Sequence, residues 1–272
     1  MAMIDQGDVL KRNNVTVKGS GSQPIVFAHG YGCDQFMWRF VYPAFLEDYK
    51  VILFDHVGSG NSDESFYNVQ KYNSLEGYAD DILEICHALE LENVILVGHS
   101  VSSMISLLAA NKKPSLFSNI IMIGPSPCYI DKEEYKGGFS QQDIDELLET
   151  LESNYLGWAS TMAPVIMANP EKPELGDELT NSFCRTNPEI AKHFAKVTFL
   201  SDNREDLDDL KIPTLIIQCE EDAIAPLAVA YYVNSKITSS TLELIDATGH
   251  CPNLSAPEET INAIKNYLEK KD

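Results

Sequence analysis

The run Gly98-His99-Ser100-Val101-Ser102 is flanked by an apolar stretch at 94–97 and a near-continuous apolar helical pattern at 104–110. A serine pinned at a strand-to-helix turn presents its hydroxyl clear of the backbone, where it can act as a nucleophile. The sharp bend needs small neighbours. Gly98 avoids a clash at the start of the turn, and the residue two beyond the serine must be small so that the helix can approach the next strand. That residue is Ser102, where the general G-x-S-x-G pattern has glycine. Ser100 also stands at a helix N-terminus, where the N–H of Val101 and the helix dipole favour developing negative charge.

A serine needs a base, and the base needs an acid. The segment 213–219 reads as a strand and is followed by Glu220-Glu221-Asp222-Ala223-Ile224-Ala225-Pro226. The strand 241–245 is followed by Thr248-Gly249-His250-Cys251-Pro252. This is the chain order Ser, acid, His, with the acid and His250 expected at strand ends on the same edge as Ser100. Imidazole can take the serine proton, while a carboxylate fixes its tautomer and steadies the imidazolium. Of the three adjacent acids at most one faces the histidine, and Asp222 is the choice.

His29-Gly30-Tyr31-Gly32 follows the strand at 25–28. Its loop is expected beside Ser100, with the backbone N–H of Tyr31 paired with that of Val101 as an oxyanion hole and the Tyr31 ring lining the pocket. His29 and His99 flank that pocket as backbone-orienting groups. His56, His87 and His193 have no acid or nucleophile context. Nothing assembles a metal site, and no cofactor is expected. The stretch 55–62 contains G-x-G but lacks the third glycine and helix start of a dinucleotide site, so it reads as a tight loop behind the site.

These residues need a scaffold. Strand signals at 15–18, 25–28, 51–54, 94–97 and 120–123 are short, Val- and Ile-rich and bounded by turn residues. Between them Leu75, Tyr78, Ala79, Ile82, Ile85 and Leu89 recur at helical spacing. Alternating strand and helix implies an α/β fold, a mostly parallel sheet with helices on both faces. From 126 to 205 strand signals vanish. Ser140 and Asp143 form a capping-box pattern that opens a helix with Ile144, Leu147, Leu148, Leu151, Tyr155 and Trp158 on one stripe. Further helices are expected at 175–183 and from Asn187-Pro188 onward. The expectation is one domain: a core of 1–125 and 206–272 with a helical lid, 126–205, inserted after the sixth strand.

Bulk properties narrow the function. Hydrophobic residues make up 44% of the 272 and charged residues 22%, enough apolar surface for a large core. A net charge of −21 repels phosphate backbones and anionic lipid, against nucleic-acid or membrane-surface partners. No segment resembles an export signal or a membrane span. The six cysteines show no CxxC spacing and read as buried reduced thiols, pointing to a cytoplasmic protein.

Together these motifs resemble the α/β-hydrolase superfamily over nearly the whole chain. Gly32-Cys33-Asp34-Gln35, Gly98-His99-Ser100-Val101, Gly124-Pro125-Ser126-Pro127-Cys128-Tyr129, Ser153-Asn154-Tyr155 with Trp158, and Gly249-His250-Cys251-Pro252 are similar to the RsbQ-like group of bacterial sigma-B stress regulators. That group is related to the plant karrikin and strigolactone receptors, which also carry Gly-His-Ser-Val-Ser. The resemblance implies a Ser100–His250–Asp222 triad and a four-helix lid over a closed apolar pocket lined by Tyr31, Phe139, Trp158, Met162, Phe194 and Phe199; Met162 and Phe194 fit lid packing equally well. It implies slow hydrolysis of a small hydrophobic ester- or lactone-like molecule coupled to a signal, with a PAS-domain phosphatase (RsbP-like) as output partner. A metabolic carboxylesterase without a partner and a ligand-binding module with little turnover are the alternatives. A dehalogenase is excluded, since it needs an aspartate where Ser100 stands.

Overall fold

The computed structural model describes residues 6–270. At its centre lies a seven-stranded sheet of β1 (Thr16–Lys18), β2 (Gln23–Ala28), β3 (Tyr49–Leu53), β4 (Val94–His99), β5 (Phe117–Ile123), β6 (Thr214–Glu221) and β7 (Ser240–Thr248), in the order β1-β3-β2-β4-β5-β6-β7. Only β1 runs antiparallel to its neighbour. Strands in the middle of such a sheet are covered on both faces and read as continuous apolar runs. Accordingly Ile25, Val26 and Phe27 in β2, 94–97 in β4 and 120–123 in β5 are all fully buried or nearly so. Each such side chain contributes roughly 1.5–3 kcal/mol of burial.

The helices are α1 (Gln6–Arg12), α2 (Glu76–Ala88), α3 (Val101–Lys112), α4 (Gln141–Ser153), α5 (Tyr155–Met167), α6 (Pro173–Arg185), α7 (Pro188–Phe199), α8 (Leu227–Lys236), α9 (Pro252–Ser255) and α10 (Pro257–Glu269). α2 buries Tyr78, Ala79, Ile82 and Ile85, the face its periodicity implies. α3 packs on β4, β5 and α2, while α8 and α10 pack on β6 and β7. None of the described helices is long and apolar enough to cross a membrane.

Chain direction across the sheet reverses between β2 and β4: β3 lies on one side of β2, and β4 to β7 advance on the other. Ligand crevices of open α/β sheets form at such a reversal, beyond the carboxyl ends of the strands. The register sets Ala28 opposite Gly98. The loops after β2 and β4 therefore leave the sheet side by side.

The four helices α4–α7 lie between β5 and β6. The sequence expectation placed this insertion after a sixth strand, but only five strands precede it among the described residues. The stripe expected to run from Ile144 to Trp158 as one helix is broken in two. Asn154 adopts φ −149°, ψ 72°, outside the helical region, and its side chain accepts the N–H of Gly157 to cap α5. Asparagine offers the backbone this alternative hydrogen bond, and it wins over continuation of the helix. The Ser140 capping box forms as expected.

Asn154→Ala should therefore lower stability by about 1 kcal/mol and the melting temperature by about 2–4 °C, with Asn154→Asp close to neutral. Thermal unfolding followed by circular dichroism checks both.

Candidate active site

Ser100 joins β4 to α3 with φ 56° and ψ −123°. A positive φ is uncommon outside glycine, and here it turns the chain sharply enough to hold the hydroxyl above the sheet edge. Its N–H donates to the Ile123 carbonyl on β5 at 2.8 Å, and its carbonyl accepts from Ser103 N–H at 2.8 Å. The tight turn brings Ser102 back onto β4. A Cβ at Gly98 would lie 2.3 Å from the Ser102 carbonyl oxygen, so only glycine fits there.

His250 follows β7 and Asp222 follows β6. Ser100 Oγ donates to His250 Nε2 at 2.7 Å, and His250 Nδ1 donates to Asp222 Oδ2 at 2.7 Å. The imidazole and the carboxylate are both buried. Asp222 is the acid that meets the histidine because the backbone N–H groups of Ile224 and Ala225 grip its Oδ1 at 2.8 and 3.0 Å, while Gln218 Nε2 reaches Oδ2 at 3.2 Å. Glu220 and Glu221 are exposed. Burial alone would raise the Asp222 carboxyl, but the charge and hydrogen bond of His250 and the two N–H donors outweigh it and hold it below its ordinary value. The loop carrying His250 is itself tied to α5: His250 N–H donates to the Ile166 carbonyl at 2.8 Å.

Above Ser100 lies a small cavity lined by Tyr31, Cys33, Trp158, Ile166, Leu179, Phe183, Phe199 and Ile224, with His99, Tyr129, Thr198, Cys251 and the Ser–His pair completing the wall. Its open space is about 40 Å³, far below the roughly 300–1,000 Å³ of a drug-sized pocket. Tyr31 joins core to insertion. Its hydroxyl donates to the Ala191 carbonyl at 3.0 Å, and its ring centroid lies 5.6–6.4 Å from those of Trp158, Phe183, Phe194 and Phe199. Val101 opens α3, where a helix leaves its first N–H groups without internal partners. Among the described residues no backbone carbonyl takes the N–H of Tyr31. Trp158 Nε1 and Thr198 Oγ1 are buried without a protein partner.

Of the expected pocket residues, Tyr31, Trp158 and Phe199 line this cavity, while Phe139, Met162 and Phe194 stand outside its wall. Phe139 pairs through its backbone with Tyr129 and Asp131. Met162 packs half-buried against the core. Phe194 is five residues before Phe199, roughly 140° away around a helix with 3.6 residues per turn, and stacks on Tyr78 of α2 at 4.3 Å. Leu179 and Phe183 escaped the sequence reading as liners. Their signal was the apolar stripe of α6, whose direction a single sequence does not give.

Three histidines support the site. His99 Nε2 donates to the His250 carbonyl at 2.7 Å, and burial first, then the proximity of His250, lowers its pKa to about 3. His29 and His56 pack edge to face, with ring centroids 4.6 Å apart. Sequence alone found no context for His56; the structure places it fully buried behind the Ser100 turn, held well below its ordinary pKa by burial and then by His29.

A profile of the alpha/beta hydrolase family matches residues 25–263. The chain is 35% identical to karrikin insensitive 2 receptor CA of Petunia hybrida, covering 96% of this chain and 97% of that one. It is 34% identical to strigolactone esterase D14 of Arabidopsis thaliana, over 98% of this chain and all of that one (100%). Among solved structures, a hydrolase from Oleispira antarctica superposes with a TM-score of 0.96 at 43% identity, covering 98% of both chains.

The buried histidines set a pH dependence. An unfolded His99 takes up its proton near pH 6.5, whereas the folded one resists until about pH 3. Its contribution to stability is complete above pH 6.5 and is lost progressively as the pH falls toward 3, at roughly 1.4 kcal/mol per pH unit; His56 acts with the same sign. Urea midpoints at pH 7.5 and 5.0 should show wild-type protein weakening on acidification and His99→Gln weakening less.

Proposed function

The chain belongs to the alpha/beta hydrolase family, and from that footing we propose that it is a serine hydrolase of a small, largely apolar ester or lactone, acting as a sensor more than as a bulk catalyst. The observation that carries the chemistry is the unbroken chain from Ser100 Oγ to His250 to Asp222, two hydrogen bonds of 2.7 Å, at the floor of an apolar cavity. Esterase-named relatives at more than 30% identity support the reaction class.

Ser100 Oγ attacks the carbonyl carbon as its proton passes to His250 Nε2. Asp222 keeps the other ring proton on Nδ1 and stabilises the imidazolium. The carbonyl oxygen, now an oxyanion, lies between the N–H groups of Tyr31 and Val101. The C–O bond to the leaving alcohol breaks as His250 returns the proton to that oxygen, leaving an acyl ester on Ser100. Water, deprotonated by His250, attacks this ester. The tetrahedral intermediate so formed collapses by breaking its bond to Ser100 Oγ as His250 returns the proton to that oxygen, which frees the carboxylic acid and restores the Ser100 hydroxyl. For a lactone, acid and alcohol leave as one opened molecule.

The substrate is small or enters by parting the walls, because the cavity is so tight. The unpartnered Trp158 Nε1 and Thr198 Oγ1 suit a ligand with an oxygen beyond the scissile group. α4–α7 then serve as a lid, since Trp158, Ile166, Leu179, Phe183 and Phe199 all come from them. Relatives named as karrikin receptors support a signalling role, and the resemblance to RsbQ-like regulators directs it to the sigma-B stress response, with an RsbP-like PAS-domain phosphatase as partner. A cytoplasmic location follows from that reading.

Ser100→Ala should cut turnover of short-acyl nitrophenyl esters by roughly 10⁴-fold or more with an unchanged melting curve; undiminished turnover removes the nucleophile assignment. The same variant, purified from its own host, should retain the substrate for identification by mass spectrometry. Deletion of the gene should blunt the energy-stress response, and a normal response contradicts the signalling role.

A further inference from the structure

Ser102 stands where the general motif has glycine, and the reaction described above does not use its hydroxyl. The residue is fully buried. Its Oγ donates to the His29 carbonyl at 2.5 Å and accepts from His56 Nε2 at 2.7 Å. The backbone N–H of His56 donates to His29 Nε2 at 3.0 Å, and His29 Nδ1 donates to the Gly30 carbonyl at 2.8 Å. The protons fit one arrangement. A carbonyl only accepts, so the single Ser102 proton goes to His29 O, and His56 must carry its proton on Nε2. His29 accepts at Nε2 and so carries its proton on Nδ1. Burial keeps His56 neutral, as this arrangement requires.

The network ends on two successive peptide groups. Ser102 holds the carbonyl of the His29–Gly30 peptide. His29 holds the carbonyl of the Gly30–Tyr31 peptide, and in a planar peptide the Tyr31 N–H is fixed by that same hold. Ser102 itself lies in the first turn of α3, next to Val101. The two halves meet closely: a Cβ on Gly30 would lie 2.6 Å from His99 Nδ1 and 3.3 Å from Ser100 Cβ.

We propose that Ser102 is a positioning residue for the oxyanion hole. Bonded to the His29 carbonyl and to His56, it locks the loop bearing the Tyr31 N–H to the helix bearing the Val101 N–H, and so sets the distance between the two donors. Glycine at this position makes neither bond. This inference rests on the hydrolase reading, and its test separates the two.

The test compares wild type, Ser102→Ala and Ser102→Thr on a short-acyl nitrophenyl ester and in binding phenylboronic acid, whose tetrahedral adduct with Ser100 places an oxygen in the hole. Losing one donor outright costs about 10²–10³ in kcat, so a misplaced donor should cost about 10- to 100-fold. The expected result is such a fall in kcat for Ser102→Ala, with KM within twofold, boronate affinity reduced in step, and the acid limb of the pH profile unmoved. Ser102→Thr, which keeps the hydroxyl, should recover most of the loss. A folded Ser102→Ala protein with wild-type kcat and boronate affinity overturns the proposal, as does a loss carried mainly by KM. If Ser102→Ala does not fold, His56→Phe keeps the ring packing but removes the donor; it should show a smaller fall of the same kind, and unchanged kcat there also overturns the proposal. Wild-type protein that neither turns over the ester nor binds the boronate defeats the hydrolase reading itself, and this inference with it.

Discussion

Ser100 is held at φ 56° and ψ −123°, a conformation that costs a non-glycine residue of order 1–3 kcal/mol. The surroundings offset that cost. β4 and β5 are fixed by their buried apolar runs, and Ile123 on β5 accepts the Ser100 N–H. α3 starts at once and ties Ser103 back to Ser100. The strain brings the hydroxyl to the strand ends and puts the first N–H of α3 beside it. Gly98 and Ser102 follow from the same turn, one as the residue that avoids a clash and the other as a small side chain that makes two hydrogen bonds in the space left.

Around this turn the core and the helical insertion form one working unit. Tyr31 leaves β2 beside the turn and reaches into the insertion, bonding Ala191 and touching aromatic rings from α5, α6 and α7. On the other side, the loop of His250 is bonded to the end of α5: its N–H goes to Ile166, Thr248 Oγ1 donates to the Ala168 carbonyl at 3.2 Å, and Asn169 Nδ2 donates to the Thr248 carbonyl at 3.1 Å. α5 also supplies Trp158 and Ile166 to the cavity wall. On the proposed function, a ligand that displaced this wall would act on the backbone that carries His250. That coupling suits a protein in which ligand occupancy matters as much as turnover.

The Ser100–His250–Asp222 arrangement was legible in the sequence because its members are marked locally or by their order along the chain. Gly98 and Ser100 announce their turn through small residues between a strand and a helix, and His250 and Asp222 are found by their places after strands. The strands themselves stand out because burial on both faces demands unbroken runs of Val and Ile. Features set by long-range packing were less legible. The break at Asn154 lies inside a continuous apolar stripe, where local capping outweighs periodicity. Phe139, Met162 and Phe194 are apolar residues of the right region, but which way a helix face or loop residue points depends on how α5 and α7 are rotated against the core. His56 carried no signal, because its partners, His29 and Ser102, lie 27 and 46 residues away.

On the proposed chemistry, His250 makes Ser100 the acyl-accepting nucleophile. Intact-mass and peptide-mapping mass spectrometry after brief exposure to a short-acyl nitrophenyl ester tests it directly. Cys184 is a built-in control, being the exposed thiol among the described cysteines. The expected result is one acyl group on the peptide containing Ser100, absent in Ser100→Ala and greatly reduced in His250→Ala. Acylation confined to Cys184, or an adduct on Ser100 that forms equally fast without His250, would contradict these roles for Ser100 and His250.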